Sequence, residues 1–309
     1  MTKLLLTGYS GFVGTHLVKQ LSPSDDVKML GRSPAPACSH WQEALLNDST
    51  DYTPSVMDVD VVIHIAARVH VMNESAADPL SEFRATNVAG TINLAKQAAE
   101  AGVKRFIFIS SVKVNGESTT SRQPFTADDS PQPEDPYGIS KAEAETQLIQ
   151  LGNETGMEIV IIRPPLVYGE GVKANFSALM RFVNKGVPLP FQALKHNRRS
   201  LVSVYNLVDL IKVCITHPAA AGQVFLVSDD HDLSTADMVA MMANVQGKKN
   251  IGLPVPAWGF RIVGKLLRKE DMVERLIGSL QVDISHTKTT LNWCPPYSVE
   301  HGFRLSVKK

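Results

Sequence analysis

Tyr137 and Lys141 stand four residues apart in Pro136-Tyr137-Gly138-Ile139-Ser140-Lys141, a stretch that opens on proline and reads as a helix start. Residues at that spacing share a helix face, so an ammonium can stand beside a phenol. A cation there favours phenolate, lowers a pKa that starts near about 10, and makes the tyrosine a plausible acid or base near neutrality. A pair of hydroxyls, Ser110-Ser111, closes the apolar run Arg105 to Ile109. A third set of residues suits an anion. Gly8, Gly11 and Gly14 follow the apolar run that begins at Lys3, as Thr7-Gly8-Tyr9-Ser10-Gly11-Phe12-Val13-Gly14. Gly8 allows a sharp turn, Gly11 lets backbone approach a phosphate, and Gly14 lets a helix pack on the strand. A pyrophosphate then sits on the helix N-terminus, where free N–H groups and the macrodipole favour negative charge.

These residues need a scaffold, and the hydrophobic pattern supplies one. Val13, Leu17 and Leu21 recur every four positions, which predicts a helix from Phe12 to Leu21. Val27 to Leu30 predicts a second strand, ending in Gly31-Arg32-Ser33. The end of that strand faces the adenosine ribose in a dinucleotide fold, where Arg32 with Ser33 can bind a 2′-phosphate and an acidic residue is missing. This favours NADP as cofactor, with NAD as the other possibility. Asp60 to Ile65 is apolar enough for a strand covered on both faces, followed by the small Ala66-Ala67. His64 within it reads as a packed side chain. A long helical stretch from Pro79 to Ala101 and a strand at Arg105 to Ile109 continue the alternation. Strand and helix in turn predict an α/β protein with a doubly wound parallel sheet. Ser111 and Tyr137 then fall at or beyond carboxyl ends of strands, where such sheets bind ligands. Further helices are expected from Ala174 and around 205–216, 234–245 and 256–267, the last three read as packing elements.

Composition narrows the function classes. The 309 residues carry 44% hydrophobic and 20% charged side chains, with 31 basic against 31 acidic groups and no net charge. Nothing steers such a chain broadly to nucleic acid or to an anionic membrane, and neither is expected as a partner. Cys38, Cys214 and Cys294 are too few and too scattered for a disulfide framework, which points to a reducing compartment. The nine histidines lack metal-ligand spacing, so no metal site is expected. Met1-Thr2 runs straight into the first strand and no apolar run approaches membrane-spanning length, so a cytoplasmic protein is expected.

The ordered set Thr7-Gly8-x-x-Gly11-x-x-Gly14, Asp58-x-Asp60, His64-x-Ala66-Ala67, Asn87, Ser110-Ser111, Tyr137-x-x-x-Lys141 and Arg163-Pro164-Pro165-x-x-Tyr168-Gly169 resembles the extended short-chain dehydrogenase/reductase family, also called NAD-dependent epimerase/dehydratases. The resemblance implies a Rossmann domain over residues 1–170 and mainly a smaller C-terminal α/β substrate-binding cap over 171–309, with segments near 200–227 returning to the first domain. It implies Ser111, Tyr137 and Lys141 as a catalytic triad. Cofactor contacts are implied for Gly8, Ser10, Gly11, Phe12, Val13, Gly14, Arg32, Ser33, Asp48, Ala66, Ala67, Asn87 and Pro164, beside Tyr137 and Lys141. For a UDP-sugar substrate it implies Asn175, Pro190, Arg199 and Arg275, two guanidiniums facing one diphosphate. The reaction implied is at C4 of a UDP-hexose in polysaccharide biosynthesis. Reduction of a 4-keto (N-acetyl)deoxy sugar leads because of Arg32, 4-epimerisation of UDP-glucose or UDP-N-acetylglucosamine follows, and a non-catalytic dinucleotide sensor stands third. A homodimer through the helix before Ser111 and the helix of Tyr137 is also implied, with Leu148 and Ile149 suited to a buried outer stripe.

Overall fold

The computed structural model describes residues 2–21, 26–34, 40–69, 78–172 and 174–307. The chain alternates as the periodicity predicts. Strand β1 (Lys3–Thr7) leads to α1 (Phe12–Gln20), β2 (Asp26–Gly31), a short β3 (Trp41–Glu43), α2 (Thr53–Val56) and β4 (Val61–His64). Then come α3 (Pro79–Phe83), α4 (Thr91–Glu100), β5 (Arg105–Ile109), α5 (Pro136–Thr155) and β6 (Glu158–Arg163). The remaining elements are β7 (Leu166–Tyr168), α6 (Ala174–Asn184), β8 (Leu201–Ser203), α7 (Val204–Thr216), β9 (Val224–Leu226), α8 (Thr235–Val245), α9 (Ala257–Leu266), α10 (Glu270–Ile277), α11 (Ser285–Leu291) and α12 (Val299–Val307). Seven strands pair in parallel in the order β3-β2-β1-β4-β5-β6-β9, and β7 with β8 forms a separate two-stranded sheet.

Side-chain alternation along the strands builds two cores, one on each face. Leu4, Leu6, Ile63, Ile107, Val160 and Ile162 pack with Leu17 of α1 and Leu207 and Ile211 of α7. Leu5, Val62, Phe106, Phe108, Ile159 and Ile161 pack with Leu94 and Ala98 of α4 and Ala144 and Leu148 of α5 on the other. A third cluster, including Tyr168, Phe176, Met242 and Phe303, holds β7, β8, α6, α8 and α12 together.

Two expectations change. The stretch from Pro79 to Ala101 is not one regular helix, because residues Arg84–Gly90 wind as a π-helix between α3 and α4. Widened turns of this kind recur at functional sites, and this one carries Asn87. Leu148 is buried in its own chain's core while Ile149 is exposed, so the two do not form one outer stripe.

His64 is fully enclosed, hydrogen-bonded to Thr7 Oγ1 at 2.8 Å and Thr91 Oγ1 at 3.0 Å and stacked on Phe108. Burial, with the Lys141 charge nearby, pulls its pKa down to about 3. The folded protein therefore keeps His64 neutral while the unfolded chain takes up a proton below about 6.5. Stability contributed by this group is lost as pH falls from about 6.5 toward 3, at roughly 1.4 kcal/mol per pH unit. Urea unfolding of the wild type and of His64→Gln at several pH values should show that slope in the difference between their stabilities.

Candidate active site

Gly8 adopts φ +73°, and a Cβ there would stand 2.6 Å from the Ala66 nitrogen. The turn must pass this close because β1 and β4 are neighbours whose ends both open on the same cleft. Gly14 is tighter still, since its Cβ would lie 2.1 Å from the Gly8 oxygen, so α1 can pack on the turn only through glycine. Gly11 caps α1 in extended conformation and no side chain bonds the helix's first amides. Ser10 and Gly11 are exposed and Phe12 and Val13 half-buried around these N–H groups. Uncapped amides at a helix start, backed by glycines that clear the approach, fit the pyrophosphate of a dinucleotide. Gly14→Ala should push the turn off α1 and abolish cofactor retention through gel filtration, read by absorbance and mass of the released nucleotide.

At the far end of this crevice, β2 delivers Arg32 to a cleft of about 400 Å³ lined also by Glu43, Ala44, Leu45 and Thr50. Ser33 is exposed, but its carbonyl accepts the Tyr9 hydroxyl, and Gly31 is glycine because a Cβ would meet the Tyr9 ring at 2.9 Å. Glu43 sits in register beside Gly31 across the β2–β3 pair. An acidic group thus joins Arg32 in this cleft, brought in by β3. Asp48 is exposed on the neighbouring bend, which Asn47 Oδ1 organises by accepting Thr50 N at 2.8 Å; Leu45 and Thr50 line the cleft instead.

Ser111 begins a short 3-10 turn after β5, its Oγ accepting Lys113 N at 3.2 Å. Val112 N donates to the Pro164 carbonyl at 3.0 Å, so Pro164 anchors this turn to β6. Tyr137 lies in the first turn of α5, which Asp135 caps through Gly138 N at 2.7 Å. The two segments meet where the Lys113 carbonyl approaches Gly138, with 2.9 Å to the position of a Cβ, and where Lys113 Nζ pairs with Asp135. Ser111 and Tyr137 are both half-buried.

Lys141 corrects an expectation. Its Nζ donates to the Ile109 carbonyl at 2.8 Å and lies 4.2 Å from the Phe108 ring centroid, buried beneath the end of β5. Burial lowers its pKa to about 7, against the upward pull of Glu145. Burial, with the Asp135 charge, raises that of Tyr137 above the ordinary phenol value. Tyr137 in this arrangement is a protonated phenol, and the shared helix face has not lowered its pKa.

Asn87 is hydrogen-bonded within the chain. Its Oδ1 accepts Arg68 N at 2.8 Å, and its Nδ2 donates to the Arg68 carbonyl and to Ser140 Oγ, both at 3.0 Å. It clamps the segment after Ala66 and Ala67 to α5, and those two half-buried alanines run beside the glycine turn.

In the C-terminal half, Arg199 bridges the chain at Leu233 and Leu280 and donates to the Gly278 carbonyl at 3.3 Å. Burial lowers its pKa, as does the adjacent charge of Arg275. The two positive charges are thus close enough to act on each other, and Arg275 pairs with Glu117 at 3.3 Å. Pro190 is half-buried beside a cavity of about 170 Å³ whose lining includes Leu189 and Phe191 but not Pro190. Asn175 lies in the first turn of α6, its side chain outside the described residues.

A family model described as "NAD dependent epimerase/dehydratase family" matches residues 4–228. The chain belongs to this family. Over 311 aligned residues it is 54% identical to a Vibrio cholerae protein described as UDP-glucose 4-epimerase, covering 99% of this chain and 94% of that one. It is 28% identical to the Escherichia coli O157:H7 protein described as N-acetyl-alpha-D-glucosaminyl-diphospho-ditrans,octacis-undecaprenol 4-epimerase, over 99% of this chain and 94% of that one. Among solved structures, the UDP-N-acetylglucosamine 4-epimerase of Bacillus cereus superposes with a TM-score of 0.81 at 20% identity, covering 98% and 97% of the two chains. That likeness shows the fold, a Rossmann-like parallel sheet flanked by helices.

Within the family frame, the structure adds residues that sequence reasoning missed. Glu145, one helical turn past Lys141 on α5, is buried and paired with Arg163 at 2.6 Å, and it also accepts the Ser110 hydroxyl. Ser110 is thereby committed to the interior, which leaves Ser111 as the hydroxyl at the cleft. The i, i+4 spacing from Lys141 was the available signal. Glu43 and Glu117 carried no local signal, because strand register and the folding of α10 toward the Ser111 turn bring them in.

Proposed function

We propose that this protein is a UDP-hexose 4-epimerase that works with NAD, inverting C4 of UDP-glucose or its N-acetylated counterpart. The 54% identity to a UDP-glucose 4-epimerase along nearly all of both chains carries this reading. It favours epimerisation over the 4-keto reduction expected from Arg32. Glu43 beside Arg32 supports NAD in physical terms, because a carboxylate in that cleft opposes a 2′-phosphate and can accept ribose hydroxyls.

The residues divide the work. Residues 1–170 hold the dinucleotide and the reacting groups, and residues 171–309 mainly hold the substrate, with 200–227 returning α7 and β9 to the sheet. Gly8 to Gly14 carry the pyrophosphate, and NAD bound there supplies the hydride acceptor and donor that inversion at C4 needs. Arg199 and Arg275 hold the UDP diphosphate, each guanidinium able to engage it through paired N–H groups. Ser111 Oγ hydrogen-bonds the C4 oxygen, where negative charge develops. Tyr137 Oη removes the C4 hydroxyl proton and returns it. For that it must first lose its own proton, which requires the Lys141 ammonium to turn from the Ile109 carbonyl toward the phenol one helical turn back. The assembly is a homodimer through α4 and α5.

Purified protein incubated with UDP-glucose, and separately with UDP-N-acetylglucosamine, should form the C4 epimer without added nucleotide, read by proton NMR. NAD should be released on denaturation and identified by mass. Consumption of NADPH on a 4-keto sugar nucleotide, with neither epimerisation nor retained NAD, would establish the reductase reading that Arg32 favours.

A further inference from the structure

Helix α9 is amphipathic in the wrong direction for a packing element. Trp258, Ile262 and Leu266, four residues apart and so on one stripe, are 66%, 61% and 81% exposed. The opposite face is the one that packs. Phe260 stacks on Phe191 at 5.8 Å, and Gly264 meets α10 so closely that a Cβ would lie 2.7 Å from Val273 Cγ2. The apolar stripe extends past the helix end through exposed Leu267, and stops at α10, where Glu270 and Glu274 are exposed. One flank is basic. Arg261, Lys265, Arg268 and Lys269 are exposed, and residues 256–269 contain no acidic residue, in a chain whose total charge is zero. Arg261 pairs with Glu274 at 3.0 Å; Lys265, Arg268 and Lys269 make no ion pair among the described residues.

We propose that α9 docks this protein on an anionic lipid bilayer, lying in the interface with Trp258, Ile262 and Leu266 among the acyl chains and its lysines and arginines at the headgroups. An apolar stripe beside a cationic flank, with a tryptophan at its start, is the pattern of helices that lie on membranes. A second copy of the chain packed antiparallel on α9 is a poorer occupant, because that two-fold contact would set one basic flank against the same flank of its mate. No described helix is long and apolar enough to cross a membrane, and a helix lying on the surface needs no such length. The absence of a spanning run and of net charge therefore missed a local feature. Docking is independent of the reaction assigned above.

The test is co-sedimentation of the full chain with vesicles of phosphatidylglycerol and phosphatidylcholine, and with phosphatidylcholine alone, at low and high salt. Binding is expected to the anionic vesicles at low salt, with a blue shift of Trp258 fluorescence, and at least tenfold less binding to phosphatidylcholine. The triple variant Trp258→Ser, Ile262→Ser, Leu266→Ser should lose at least tenfold in vesicle affinity with unchanged thermal unfolding and oligomeric state. Lys265→Glu with Arg268→Glu should lose affinity for the anionic vesicles. Three results would each overturn the proposal: wild type left in the supernatant of anionic vesicles, a triple variant that binds like wild type, or a triple variant whose oligomeric state drops. The last would show that another copy covers the stripe.

Discussion

Tyr137→Phe should lower turnover by about 10²- to 10⁴-fold, the usual worth of a positioned acid or base, with little change in fold or in UDP affinity. The substitution removes one hydroxyl at the start of α5 and keeps the ring, whose edge-on contact with Phe83 has centroids 6.0 Å apart. Helix α5 keeps its Asp135 cap, so the effect is chemical rather than structural. Steady-state rates on UDP-glucose, beside UDP binding by calorimetry, separate the two. Loss of turnover at constant affinity is expected, and unchanged turnover would remove Tyr137 from the reaction. The same reasoning gives Lys141 a pH signature. With its pKa near 7 in this structure, the Lys141 ammonium is depleted as pH rises, and turnover is expected to fall above about pH 7 in a rate–pH profile.

The second large effect concerns stability. Glu145→Ala should destabilise the protein by about 3–5 kcal/mol, because it leaves the Arg163 guanidinium buried without its carboxylate. Against the roughly 5–15 kcal/mol that holds a typical domain folded, such a loss is severe. Arg163 makes two hydrogen bonds from Nε to Glu145, at 3.0 and 3.1 Å, and one from Nη2 at 2.6 Å. Its Nη1 donates to Asn115 Oδ1 at 3.1 Å. The network spans β6, α5 and the segments on either side of Ser111, so losing the carboxylate also loosens the turn that presents that hydroxyl. Urea unfolding with a two-state fit measures the cost. Glu145→Gln, which keeps an acceptor and loses the charge, should fall between the wild type and the alanine variant.

The glycine turn shows why much of this was legible in advance. Gly8 and Gly14 are required by contacts within ten residues and by one neighbouring strand, and such local constraints leave a regular spacing in the chain. The same holds for β5, whose continuous apolar run reflects burial on both faces. The Tyr137–Lys141 pair was found by helical spacing, but its electrostatics were not. Spacing shows that two side chains can meet, whereas burial under β5 decides where the ammonium points and what its pKa is. Asn87 is legible as a motif position, whereas its hydrogen bonds to Arg68 and Ser140 depend on the π-helix and on the approach of α5.

What the amino-acid sequence determined by itself was the alternating α/β architecture, the tight glycine turn at the start of α1 and the presence of side chains chemically able to move a proton, since each depends on local period, local sterics or side-chain chemistry. Only the tertiary structure decided which groups surround them. It brought Glu43 beside Arg32 through the register of β3 on β2, and Glu145 against Arg163 across α5 and β6. It brought the charge of Arg275 within electrostatic reach of Arg199, and it turned the apolar stripe of α9 outward. The physical reason is common to all four. Each is a contact between residues distant in the chain, or an exposure set by what packs on the opposite face, and neither property leaves a periodic trace in a single sequence.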